Sequence, residues 1–300
     1  MRRQRFWKPL FVGIAICGLA SIPGISVALP IGADIITVVD ESGSMAGEHA
    51  FLATAIPSLE SALQTAGVTS NQYGLVGFGG ASSHLAGHTH LVGGNPFGTA
   101  AEFATATGSL LLNGGTEDGY SGITTALGYA FRTPATDFAR QIILVTDEDR
   151  DNIGGGETFA SMQTALGNAG AVLNVVVNNS VLLNGATCST CLGLSANGTA
   201  YLADGLGGFT TAAGGSVGAG FGTTATDYVA LAHATGGAMW NLNLLRAGGL
   251  TGNSFAAAFQ AIKVQEIVTP PSVPEPGTLL LLGSGLAGLA AWKRRKTNDA

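Results

Sequence analysis

A doubly wound, mostly parallel α/β sheet flanked by helices is the fold class that the sequence predicts. Three observations predict it. Apolar, β-branched runs of strand length recur at 35–39, 141–147 and 171–177, the signature of strands buried on both faces. Segments with helical spacing of apolar residues separate them, as at 46–66 and 157–169. Two of the apolar strands end in carboxylates, Asp40 and Asp147, at the edge where open α/β sheets place their ligand sites.

The chain opens on a basic stretch, Arg2, Arg3, Arg5 and Lys8, followed by the apolar run Pro9–Leu19 and the small-residue site Ser26-Val27-Ala28. That is the layout of a secretory signal peptide over residues 1–28, with Cys17 removed along with it. Export fits the composition. Only 11% of residues are charged and Gly numbers 46, so the surface is built largely from small and uncharged side chains. Eight of the 13 basic residues lie at the two ends, at 2–8 and 293–296. Five remain between them against 18 of the 19 acidic residues, a charge of about −13. Such a segment lacks the basic footprint of a nucleic-acid-binding protein and suits cations.

After the strand Ile35–Val39, Phe51, Leu52, Ala55, Leu59, Ala62 and Leu63 predict a helix over 46–66, stopped at Gly67. Tyr73–Phe78 reads as a second strand and His90–Val92 as a short edge segment. His84, His88 and His90 could ligate a transition metal. With no carboxylate or cysteine beside them in sequence, they read instead as a solvated, Gly-rich loop. Helices are expected over 99–111 and 123–131, the second opened by the Gly-rich loop Asn113–Gly122. Residues 178–226 break the alternation and read as a Gly/Ser/Thr-rich insertion with some hairpin content, since a structureless loop of that length is unusual. A helix at 228–235, a strand at 238–242 and a helix at 254–264 close the domain, which spans 33–267. Cys188 and Cys191, the cysteines left after export, predict a local disulfide.

Asp40, Ser42 and Ser44 present one carboxylate and two hydroxyls at alternate positions around Gly43. They read either as an N-capped helix start or as hard oxygen ligands for Mg²⁺. Thr116, in its Gly-rich loop, and Asp147, at a strand end, reach the same sheet edge and favour the ligand reading. The set Asp40-x-Ser42-x-Ser44, Gly114-Gly115-Thr116, Leu144-Val145-Thr146-Asp147 and Ala232-x-x-Thr235-Gly236-Gly237 resembles the von Willebrand factor A domain and its metal-ion-dependent adhesion site. The resemblance implies one Mg²⁺ (or Mn²⁺ or Ca²⁺). Ser42 and Ser44 would bind it directly, Thr116 directly or through water, and Asp40 and Asp147 mainly through water. It also implies an acidic group of a protein or polysaccharide as the partner's ligand. Glu148 stands where the family commonly has Gly, with Asp149 and Asp151 beside it. These three either form a second cation site or point to solvent. No base accompanies the five ligands at a spacing that metal hydrolysis needs, so an enzyme is not expected.

The tail carries a stiff Pro-rich linker at 268–277, an apolar segment at 278–292 and the basic cluster Lys293–Lys296. A plain membrane anchor is one reading, although fifteen residues reach only about 22 Å against a bilayer core of about 30 Å. The order Val273-Pro274-Glu275-Pro276, short apolar helix, basic cluster resembles the PEP-CTERM sorting signal over 273–296. That resemblance implies an exopolysaccharide-producing Gram-negative host, transient residence in the inner membrane and processing by an exosortase-type enzyme. The destination would be the cell surface or extracellular matrix. Two functions are then expected as rivals: ion-dependent adhesion, or a matrix component whose ion only stabilises the fold.

Overall fold

The computed structural model describes residues 29–81, 84–153 and 156–269. The expected signal peptide at 1–28, the expected linker beyond 269, the apolar segment 278–292 and the sorting motif lie outside them.

In chain order the elements are β1 (Gly32–Asp40), α1 (Ala46–Thr65), β2 (Ser70–Phe78), β3 (His88–His90), β4 (Phe97–Gly98), α2 (Ala100–Ala106), α3 (Gly119–Leu127), β5 (Phe138–Thr146), α4 (Phe159–Ala169) and β6 (Ala171–Val177). The 178–226 region then supplies β7 (Asn179–Leu183), β8 (Ala186–Thr187), β9 (Cys191–Ser195), β10 (Ala200–Ala203), β11 (Phe209–Ala212) and β12 (Gly215–Gly220). A π-helical turn (Ala225–Val229) leads into α5 (Ala230–Ala234), β13 (Ala238–Asn241), α6 (Leu242–Arg246) and α7 (Gly249–Val268).

One ten-stranded sheet runs in the order β11-β10-β9-β13-β6-β5-β1-β2-β3, with β4 also on β2. The pairs among β2, β1, β5, β6 and β13 are parallel. All nine residues of β1 are buried, as expected of a central strand covered on both faces. Side chains alternate across it. Ile35 and Val39 join a core with α1, α2 and α7, whereas Ile36 and Val38 join a core with α3, α4 and α5. The result is a three-layer α/β/α arrangement in which the carboxyl ends of β1 and β5 share one edge.

The insertion is more ordered than the sequence suggests. Its strands β9, β10 and β11 extend the main sheet antiparallel beyond β13, and β12, β7 and β8 form a separate three-stranded sheet. The Cys188–Cys191 disulfide, with Cα atoms 5.4 Å apart, closes the turn before β9. At the 232–237 turn, the Thr235 hydroxyl accepts the Leu173 N–H at 2.9 Å and donates to the Ala232 carbonyl at 2.8 Å. Gly237 is required there because a Cβ would stand 1.9 Å from the Leu173 carbonyl oxygen.

Beside this turn, His233 lies with Nε2 3.3 Å from the Leu194 carbonyl oxygen, and burial lowers its pKa below the usual 6.5. The unfolded chain therefore binds the proton more readily, so this contribution to stability is present above about pH 6.5 and is lost as pH falls below it. A His233→Gln variant is expected to lose less stability than the wild type between pH 7.5 and 5.5, measured as the shift in urea midpoint.

Candidate metal centre

The site begins where β1 ends. Asp40 is buried; its Oδ1 accepts the Ser42 N–H at 2.7 Å and its Oδ2 accepts the Thr146 hydroxyl at 2.7 Å. Neither Ser42 nor any other side chain caps the following helical turn or α1, so the N-cap reading of this stretch falls. The hydroxyls point elsewhere. Ser44 Oγ donates to Asp147 Oδ1 at 3.0 Å, and Ser42 Oγ lies 3.0 Å from Ser44 Oγ, positioned to donate to it. Four of the five expected ligands thus stand in one hydrogen-bonded cluster formed from β1 and the end of β5.

The fifth is placed differently. The threonine loop does reach the edge: Gly114 pairs with Ser42, and the Asn113 and Gly114 N–H groups donate to the Glu41 carbonyl at 3.1 and 3.4 Å. Gly114 packs so tightly that a Cβ would stand 1.5 Å from the Gly79 carbonyl oxygen. Thr116 itself contributes its carbonyl to His84 Nδ1 at 3.1 Å, and its hydroxyl has no hydrogen bond to the other four. The next residue, Glu117, is buried near them, with Oε1 lacking a hydrogen-bond partner among the described residues. A buried, unpartnered carboxylate oxygen costs several kcal/mol as an isolated charge, about 2 or more, unless it is protonated or meets a cation.

Glu117 stands with Ser42, Ser44, Gly115, Glu148 and Asp151 around a cleft of about 380 Å³. The charges there repel one another. Burial pushes the Glu117 carboxyl up to about 8, helped by the charges of Asp40, Glu148, Asp151 and Asp147. Burial lifts Asp40 to about 6 against the hydrogen bonds it receives, with Asp147 adding to the rise. Glu148 is raised by burial and then by Asp147, Asp149 and Asp151. This donor set of carboxylates and hydroxyls fits a hard divalent cation.

Of the three acids after Asp147, Glu148 and Asp149 are half-buried and Asp151 is exposed. Asp149 Oδ2 accepts the Thr223 N–H at 3.0 Å, tying in the end of the insertion. Asp151 Oδ2 accepts the Glu117 N–H at 2.7 Å, while its own N–H donates to the Glu117 carbonyl at 2.9 Å. Glu148 lines the cleft. Arg246, on the unanticipated α6, is the cation at this edge. Its Nη2 lies 2.9 Å from Asp147 Oδ2 and 3.2 Å from the Ser44 carbonyl, and its Nε lies 2.7 Å from Glu48 Oε1.

The histidine loop is also a correction. His88 and His90 converge on a carboxylate, Glu41, which precedes them by almost fifty residues. His90 Nε2 lies 2.9 Å from Glu41 Oε1 and His88 Nε2 3.1 Å from Oε2. Burial alone would raise the Glu41 carboxyl, but the close His88 and His90 imidazoles and the Leu111 N–H outweigh it and hold the group at about 2. These three residues could hold a metal ion. His84 is not among them.

Residues 272–296 match the PEP-CTERM protein-sorting motif. The motif marks an exported protein that an exosortase sorts to the cell exterior. No helix among the described residues is long and apolar enough to cross a membrane. No curated protein matches the chain. A solved structure, proximal thread matrix protein 1 from the mussel byssus, is similar at 14% identity and a TM-score of 0.34. The likeness covers 50% of this chain and 37% of that one.

Proposed function

We propose that this exported protein is a divalent-cation-dependent binding protein of the cell surface or extracellular matrix. Its Mg²⁺ (or Mn²⁺ or Ca²⁺) site follows the pattern of the von Willebrand factor A domain. The observation that carries the reading is the cluster Asp40–Ser42–Ser44–Asp147 at the carboxyl ends of two adjacent central strands. Ser42 and Ser44 would hold the ion through neutral hydroxyls. Asp40 stays fixed by Ser42 N–H and Thr146, and Asp147 by Ser44. Glu117 would add a carboxylate where the family pattern puts Thr116. A divalent ion bound here supplies an electrophilic position for an acidic group of a protein or polysaccharide partner.

The rest of the surface supports an ion-bridged contact. The five basic residues between 29 and 269 are all engaged: Arg132 with Asp34, Arg150 with Asp118, Arg246 with Glu48 and Asp147, Lys263 with Glu266, and Arg140 with two backbone carbonyls. An acidic polymer therefore meets few uncommitted cations apart from the ion. The acidic rim of Glu117, Glu148 and Asp151 favours a second reading, in which the ion serves to lock the 113–117 and 147–151 loops together.

Titration calorimetry of the processed protein with Mg²⁺ tests the site. One ion per chain is expected, and at a concentration near 100 times Kd it stabilises the fold by about 2.7 kcal/mol. Ser42→Ala is expected to lose that response. Unchanged binding by Ser42→Ala would overturn the site assignment.

A further inference from the structure

We propose that Glu41, His88 and His90 form a second metal site, selective for a transition ion of the Zn²⁺ class and separate from the hydroxyl cluster. Asp40 and Glu41 are successive residues of an extended chain, so their side chains leave opposite faces of the sheet. Asp40 faces the α3 side. Glu41 faces the α1 and α2 side, where the Leu111 N–H donates to its Oε1 at 2.7 Å.

The pocket is shaped around the Glu41 carboxylate. A Cβ at Gly77 would stand 2.5 Å from Glu41 Cδ, and one at Gly80 3.1 Å from Oε2. The carboxylate is wholly buried, His90 is 11% exposed and His88 28%. Solvent thus reaches the group from the His88 side. One ligand atom from each of the three residues lies within 4.8 Å of the others.

The outer hydrogen bonds orient both rings for a metal. His88 Nδ1 lies 3.0 Å from the Ala86 carbonyl oxygen, which can only accept, so Nδ1 carries a proton. His90 Nδ1 lies 2.8 Å from Ser109 Oγ, whose own proton is donated to the Ala106 carbonyl at 2.7 Å. Its Nδ1 is therefore protonated as well. Metal-binding histidines are held in this way, with one nitrogen donating to a carbonyl or hydroxyl and the other facing the ion.

Both Nε2 atoms face the one carboxylate, with the ring centroids 4.9 Å apart. A divalent ion among them gives each nitrogen lone pair and the buried carboxylate a common partner. Two imidazoles and one carboxylate are the donors of zinc sites with an open fourth position, whereas Mg²⁺ and Ca²⁺ take oxygen.

The test is a titration of the chelator-treated, processed protein with Zn²⁺ in excess Mg²⁺, and with Co²⁺ read by its visible absorption. One Zn²⁺ per chain is expected, with proton release. His88→Ala is expected to weaken zinc binding about 100-fold or more, while His84→Ala and Ser42→Ala bind zinc like the wild type. His90→Gln serves as a second variant, and circular dichroism establishes that each variant is folded. Zinc binding by folded His88→Ala and His90→Gln equal to the wild type overturns the assignment. So does a wild type that takes up no zinc in excess Mg²⁺.

Discussion

Replacing Asp147 with alanine is expected to abolish the stabilisation of this protein by Mg²⁺ while leaving its metal-free stability within about 1 kcal/mol of the wild type. The two halves have separate causes. Asp147 accepts from Ser44 and thereby orients the hydroxyl pair, and its charge is part of the attraction for a cation. Its removal should weaken the ion by about 100-fold or more, beyond the range seen when supporting groups of metal sites are lost. In the metal-free state the same carboxylate also repels. It adds to the raised pKa of Asp40, Glu117 and Glu148, so its loss relieves those groups. Arg246 gives up one partner and retains Glu48 at 2.7 Å. Urea midpoints with Mg²⁺ and with chelator separate the two effects. Equal Mg²⁺ stabilisation in variant and wild type would place the ion elsewhere.

The largest purely structural effect is expected at Trp240. It is fully buried on β13, stacked on Tyr201 with centroids 5.3 Å apart and edge-on to Phe259 and Phe255 at 5.2 and 5.8 Å. The ring cluster joins α7 and the insertion strand β10 to the sheet. Trp240→Ala is expected to cost about 3–5 kcal/mol, a large share of the roughly 5–15 kcal/mol typical of a domain. Of the three tryptophans, Trp7 and Trp292 lie outside 29–269, so wild-type unfolding of the processed domain is followed by Trp240 fluorescence. The variant requires far-UV circular dichroism. A loss below 1 kcal/mol would show that the cluster repacks around the vacated volume.

Apolar strength governed what could be read from the chain. β1, β5 and β6 are continuous β-branched runs, and they lie within three residues of their expected bounds. The helix at 46–66 was equally plain, ending at Thr65. Beyond some hairpin content, the sheet strands of the insertion were not readable, because strands such as Phe209–Ala212 and Gly215–Gly220 are short, half-exposed and built mostly of small or hydroxylated residues. Their pairing comes from tertiary context rather than from any periodicity. α6 spans five residues, too few to show a helical period, so Arg246 was missed with it.

The juxtaposition of the candidate residues was legible where they stand at or just after strand ends. Asp40, Ser42, Ser44 and Asp147 meet as the sheet topology requires. Glu117 escaped notice because the motif draws attention to its neighbour Thr116. Its Oε1, without a hydrogen-bond partner, is visible only once the chain is folded. Glu41 escaped for a related reason. Its histidine partners are distant in sequence, and only the antiparallel pairing of β3 with β2 brings them to it.

Retention of the processed protein on an immobilised polyuronate tests the central claim most directly. Measurement is made in Mg²⁺, in chelator and after Mg²⁺ is restored, with Asp147→Ala alongside. Ion-dependent adhesion predicts retention by the wild type in Mg²⁺, release in chelator, recovery when Mg²⁺ returns, and no retention of Asp147→Ala under any condition. Equal retention with and without the ion, or by Asp147→Ala, would contradict it.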